Sequence, residues 1–214
     1  MIPSYRYKLR SLTCLAIGLF TTIAAVAADR VHRLTSDEES LFKIVLSNAE
    51  QERSTMTLDP ILCLVARQRA ADMARRNYFG HINPDGHGAN FLISREGYLL
   101  PASYDASRSG NNIESLGMST GRPREILSLW LGSSAHRLHV MGELDFFQQQ
   151  TSAGVGIARS PRPPYYKYYV FLSAPPNASL ALRTIVLKSP KGKTIASTKK
   201  FAAAWASVTG TAAP

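Results

Sequence analysis

Residues 59–81 read DPILCLVARQRAADMARRNYFGH, and this stretch decides the fold. Asp59 followed by Pro60 is a helix start, because the acid accepts from the first orphan amides and proline has no N–H to lose at the first position. Ile61, Leu62, Val65, Ala66, Ala70 and Met73 then recur at helical steps and form one apolar stripe. Arg67, Arg69, Arg75 and Arg76 fall largely off the stripe, which predicts solvent for them. Cys63 packs with the apolar residues as a small soft side chain. The helix should end near Asn77, just ahead of YFGH.

Upstream, SDEES at 36–40 offers Ser36 as an N-cap with Glu39 three residues on, a capping box. Leu41, Phe42, Val45, Leu46 and Ala49 continue at helical spacing, so a helix is expected from Asp37 to about Arg53. Downstream, HINPDGHG at 81–88 is turn chemistry. A short helix over 89–96, stopped by Gly97, comes next. Residues 100–121 are rich in Ser, Gly and Asn and predict a long irregular loop, a class often functional. Pro123 opens a helix through Trp130, whose indole is expected in the core. SAGVGIARS at 152–160 and YYKYYVFLSAP at 165–175 predict two strands, one small and apolar, one aromatic and β-branched. TIVLKSPKGKTIA at 184–196 predicts a hairpin. There is no internal repeat.

The first residues are read as an address rather than as structure. Arg6, Lys8 and Arg10 precede an uncharged, mostly apolar run ending in small residues, the pattern of a secretory signal peptide over 1–27 cut after Ala27. The apolar run is shorter than the roughly 20 residues that span a bilayer, which leaves no transmembrane anchor after processing. Cys63 then has no intramolecular partner, so the expected domain, of roughly 185 residues after cleavage, depends on its core alone. Export without disulfides fits a bacterial protein, secreted or periplasmic. The formal charge of +10 is concentrated at the ends, with three cations in the leader and six from Arg183 onward, where there are no acids. The body is close to neutral, which excludes a basic nucleic-acid groove. A basic extension over 175–214 is left as a solvated tail or as a contact to an anionic surface.

In order, these pieces resemble the CAP superfamily (SCP or PR-1 domain) in its compact bacterial form. The resemblance rests on residues 59–81, on NPDG at 83–86, on REGY at 95–98, on SGNNIES at 109–115, and on WLGSSAHRLHVM at 130–141 followed by AGVGIA at 153–158. It covers residues 36–174 and implies an α+β fold, an α-β-α sandwich with a small, mostly antiparallel sheet between helical layers. It also implies a cleft lined by His81 and His136, two imidazoles able to share a divalent cation such as Zn²⁺ or to supply a general base.

The sequence departs from the family at the acid. Aligning Gly110 and Ile113 with the family's Gly-Glu-Asn-Ile puts Asn111 where the glutamate belongs. Glu114, three residues on, is expected to point elsewhere in an extended loop. An amide moves no proton and brings no charge to a metal, which weighs against an enzyme. His139, one turn beyond His136, is a further metal ligand on this reading, or a surface residue. Glu143 is an acid of lower weight, and His32 and His87 read as exposed loop histidines.

Ser133 and Ser134 stand too close in sequence to His136 to be a nucleophile facing its base. They are expected to cap the following turn instead. Together these readings give an exported binding or interaction module at the cell envelope, whose partner is a cell-wall, lipid or protein component. A peptidoglycan or protein hydrolase using His81, His136 and Glu114 is the first alternative, and a lipid or sterol carrier the second.

Overall fold

A computed structural model describes residues 33–177 together with two short strands at 187–188 and 194–196. The expected signal peptide, His32 and most of the basic extension lie outside the described residues. Among the described residues no helix is long and apolar enough to cross a membrane.

Helix α1 (Ser36–Leu46) starts one residue earlier than the sequence suggests. Thr35 is the N-cap, and Glu38 returns the bond to its amide. The helix stops at Leu46, well short of Arg53. Asn48 turns the chain by accepting from the Glu50 amide, and Gln51 takes over the carbonyls of Val45 and Val140. Arg53 is buried, and its guanidinium donates to the carbonyls of His139, Val140 and Phe147. A polar run offers no stripe to extend, and these side chains satisfy the helix end locally.

Strand β1 (Thr57–Leu58) leads into α2 (Pro60–Arg76), the helix of the opening stretch. Asp59 caps it through the amides of Ile61 and Leu62, and Asn77 ends it in the left-handed conformation at φ 56°. Helix α3 (Ala89–Arg95) follows, and Gly97, at φ +85°, turns the chain away. Strand β2 (Glu114–Ser119) lies inside the stretch expected to be irregular. Its sequence, ESLGMS, alternates Leu116 and Met118 with Ser115, Gly117 and Ser119, but the run is short and rich in small residues, so it reads as loop. Then come α4 (Pro123–Leu131), α5 (Ser134–Met141), the single turn α6 (Asp145–Gln148), β3 (Ser152–Arg159) and β4 (Lys167–Ala174). The expected hairpin is present as β5 (Leu187–Lys188) antiparallel to β6 (Thr194–Ala196).

The main sheet has strand order β1-β3-β4-β2, with β1 parallel to β3 and the other pairs antiparallel. Alternation along β4 sorts its side chains between two cores. Tyr168, Val170, Leu172 and Ala174 meet Leu62, Val65, Ala66, Ala70 and Met73 of α2. Tyr169 and Phe171 meet Leu41, Val45, Ile126, Trp130 and Met141 from α1, α4 and α5. Trp130 is a core residue, as expected, and its indole N–H donates to the Leu116 carbonyl.

The glycines of β3 set the close approach of α2. A Cβ on Gly154 would lie 2.2 Å from the Leu62 carbonyl carbon, and one on Gly156 would lie 2.2 Å from that of Ala66. The helix backbone therefore rests directly on the strand. The architecture is the α+β sandwich expected from the sequence, with α2 on one face and α1, α4 and α5 on the other. The last residues of the main body lock onto the chain after α3. Tyr98 Oη donates to the Pro175 carbonyl, and the Leu99 amide donates to Asn177 Oδ1.

Candidate functional site

Strand β2 positions the acid. Glu114 pairs with Leu172 and Leu116 with Val170, so Glu114 points to the α2 face of the sheet, where Leu172 and Val170 also point. Its neighbour Ser115, opposite Phe171, points to the other face. Sequence reasoning sent Glu114 away from the cleft because it placed residues 109–115 in an extended loop. The strand reverses that outcome: Glu114 is buried, and its Oε2 lies 3.0 Å from His81 Nδ1.

Arg69 is the second correction. Expected in solvent, it is 2% exposed and lies against Glu114, with Nε 2.9 Å from Oε1 and one terminal nitrogen 3.1 Å from Oε2. The same guanidinium donates to Tyr78 Oη and to the carbonyls of Gly80 and His81. A buried cation is tolerable when paired and fully bonded, and here it does three jobs. It neutralises Glu114, holds the loop that presents His81, and fixes the Tyr78 ring. Tyr78 in turn donates to Asp72, and burial together with that bond raises its hydroxyl pKa well above the usual value.

Asn111 reaches the same ring, with Nδ2 2.9 Å from His81 Nδ1. Its Oδ1 accepts from the Glu114 amide, which bends the chain so that both side chains reach one imidazole. The two contacts on Nδ1 exclude one another. An ionised carboxylate only accepts, so Nδ1 must carry the proton in the Glu114 bond, and the Asn111 amide then meets a second donor. A buried carboxylate is the stronger partner for that proton. In that bond the proton lies on Nδ1 of His81, whose side chain is 43% exposed. Asn112 clamps the loop from the other end by a reciprocal amide pair with Asn90.

His136 is half-buried on α5, and its Nδ1 lies 3.0 Å from Ser133 Oγ. Burial lowers its pKa, and the nearby His81 lowers it further, so the two rings act on each other electrostatically. Ser133 does stand at the N-cap position of α5, but its hydroxyl goes to the imidazole and makes no capping bond. The contact that sequence spacing seemed to forbid is present.

His139 is not a surface residue. It is buried on the opposite side of the sheet from Glu114. Ser115 Oγ stands 2.7 Å from its Nδ1, Ser173 Oγ stands 2.9 Å from its Nε2, and Phe147 packs edge-on. Both ring nitrogens are taken. Burial first, then the Arg53 guanidinium, holds its pKa well below the ordinary histidine value, so the ring is neutral. Glu143 pairs with Arg137, and His87 stacks on Phe91 with ring centroids 4.4 Å apart.

This donor set does not make a strong cation site. Glu114 is committed to Arg69 and His81, His139 is withdrawn, and Asn111 is neutral. Among the described residues no three of His, Cys, Asp and Glu come together to hold an ion. The divalent cation expected from the sequence finds two imidazoles at most.

No family model matches the chain. It is 29% identical over 145 residues to an uncharacterized protein of Bacillus subtilis, YkwD, a match covering 64% of this chain and 51% of that protein. The match thus spans about half the length of this curated relative. Among solved structures, an outer surface protein of Borrelia burgdorferi is 13% identical with a TM-score of 0.48, over 67% of this chain and 97% of that one. An extracellular protein of Bacillus anthracis containing an SCP domain is 18% identical with a TM-score of 0.44, over 65% of this chain and 44% of that one. The motif order from residue 59 to 158 is laid out on a sheet between two helical layers, with His81 and His136 brought near each other, an arrangement consistent with the CAP-like fold that the sequence resembles.

Proposed function

We propose that this protein is an exported CAP-type module that binds a component of the cell envelope, using the surface around His81 and His136. The observation that carries the reading is the buried Arg69–Glu114 pair, which fixes His81 with Nε2 turned outward. A buried ion pair is a poor way to gain stability, and its use here is to orient one half-exposed ring. The leader-like residues 1–27 and the cation-rich C-terminus support placement at the envelope. The purified protein should be retained by isolated cell walls at physiological salt, and His81→Ala with His136→Ala should abolish the retention. Retention that persists in the double variant and fades with salt would assign the binding to the tail instead.

Hydrolysis is the second reading, favoured by the same bond. A carboxylate holding Nδ1–H leaves Nε2 as a general base for water, the arrangement that orients catalytic histidines elsewhere. Release of soluble fragments from purified wall, lost in His81→Ala and in Glu114→Gln, supports it. No release over long incubation leaves the binding module.

A further inference from the structure

Beside the His81 loop lies a groove that the site does not use. Its cavity is about 260 Å³ and is lined by Tyr78, Phe79, Met118, Tyr166 and Tyr168, with Asn77, Ser160 and Arg162 among the polar groups at its edge. Phe79 is 49% exposed, although it is flanked by residues held tightly by Arg69. Its ring stands 6.4 Å from that of Tyr168, tilted by 46°. A phenylalanine left half in water next to a full core is an available apolar face.

The lining identifies the kind of ligand. Apart from two prolines, Met118 is the only aliphatic residue, so the groove is not built for an alkyl chain. Aromatic faces beside hydroxyl and amide groups suit a ring with one apolar C–H face and a polar edge, which describes a pyranose. The cavity is slightly smaller than the roughly 300 Å³ at which drug-sized pockets begin, a fit for a single ring. No acid lines it, and Arg162 is exposed with no ion-pair partner among the described residues. An unpaired guanidinium favours a carboxylate, which it can grip through two N–H groups.

We propose that this groove binds a saccharide carrying a carboxylate, with the sugar ring on the exposed face of Phe79 and the acid on Arg162. The inference names a ligand class for the envelope module and rests on that reading only for the source of the sugar. Arg69 links the groove to the cleft, since its guanidinium holds both Tyr78 and the His81 carbonyl.

The test uses the full chain and two sugars, N-acetylmuramic acid and N-acetylglucosamine, which differ by one carboxylate-bearing ether. Shifts of the Phe and Tyr ring protons are followed by NMR titration. Both sugars should shift the rings saturably, with the acidic one bound about two- to fivefold tighter, as an exposed ion pair allows. Arg162→Gln should erase that preference and leave the shared affinity. Phe79→Ala should weaken both sugars by up to about tenfold, the scale of one aromatic contact, and Phe79→Tyr should restore them.

Equal affinities in the wild type, or no ring shifts with either sugar, overturn the proposal. So does an acidic proline-containing peptide that shifts these rings while the sugars do not. Wall retention without sugar binding overturns the groove and leaves the envelope reading, whereas sugar binding without wall retention does the reverse.

Discussion

Glu114→Gln isolates the central claim about the site, because it removes one charge and almost no volume. In the native protein Oε1 and Oε2 accept from Arg69, and Oε2 also accepts from His81. The amide keeps one acceptor but turns an N–H₂ toward groups that themselves donate, and it leaves the guanidinium without a counter-ion in a site where Arg69 is 2% exposed. Breaking a buried pair from one side costs about 3–5 kcal/mol. The lower end applies here, since Arg69 retains Tyr78 Oη and the carbonyls of Gly80 and His81. At roughly 2–4 °C per kcal/mol for a domain of this size, Tm should fall by about 6–12 °C.

Arg69→Met should cost at least as much, because it also orphans those three acceptors. The double variant, Arg69→Met with Glu114→Gln, should be more stable than the sum of the single effects predicts, since neither charge is then left alone. Urea unfolding of the four proteins gives the coupling, and the ¹⁵N spectrum of His81 gives the local consequence. The bonded Nδ1–H signal should be present in the wild type and absent in Glu114→Gln. A cost below about 1 kcal/mol, or strict additivity in the cycle, would refute the reasoning and return Glu114 to the status of a buried spectator.

Four further outcomes are expected. His139 is neutral in the native protein, while the unfolded chain takes up a proton near the ordinary value of about 6.5. Stability should therefore be full above that pH and fall as pH drops below it, by up to about 1.4 kcal/mol per unit, and His139→Gln should flatten this slope in urea unfolding measured between pH 7.5 and 5. Cys63 is 3% exposed, and burial raises its thiol pKa, so thiol reagents should label it only at the rate of unfolding; rapid labelling of the native protein would contradict the packing of α2. Gly156→Ala should lower stability by about 1–3 kcal/mol or more, because the new methyl meets the α2 backbone rather than a side chain able to turn aside. Asn111→Glu adds beside His81 a carboxylate not committed to Arg69, so zinc affinity by calorimetry should rise by about 10–100-fold, and an unchanged affinity would mean that this position does not face the cation.

What was legible in the sequence, and what was not, follows from the distance over which each feature is decided. The α2 stripe and its Asp59 cap are local patterns with local causes, and each came out as read. The end of α1 did not, because it is set by Gln51 and Arg53 reaching carbonyls as far away as Val140 and Phe147. The site was misread for the same reason. Arg69 scores as a solvent residue on a helical wheel, and only a partner 45 positions away makes its burial tolerable. That partner reaches it because ESLGMS pairs with β4, although its two apolar residues, Leu116 and Met118, make too short an alternation to mark a strand. One residue further, the pleat sends Ser115 to the other face, where it and Ser173 close on His139 from two strands. The register of a single inconspicuous strand thus places the acid with His81 and withdraws His139 from the cleft. Residue 111, where the resemblance leads one to expect the acid, holds an amide, while the charge enters from residue 114 on the sheet. A carboxylate supplied from the sheet arrives already paired with Arg69, with three of its roughly four acceptor sites filled, so it orients an imidazole with little capacity to spare for a metal. That difference favours ligand binding or water activation at His81 over cation capture.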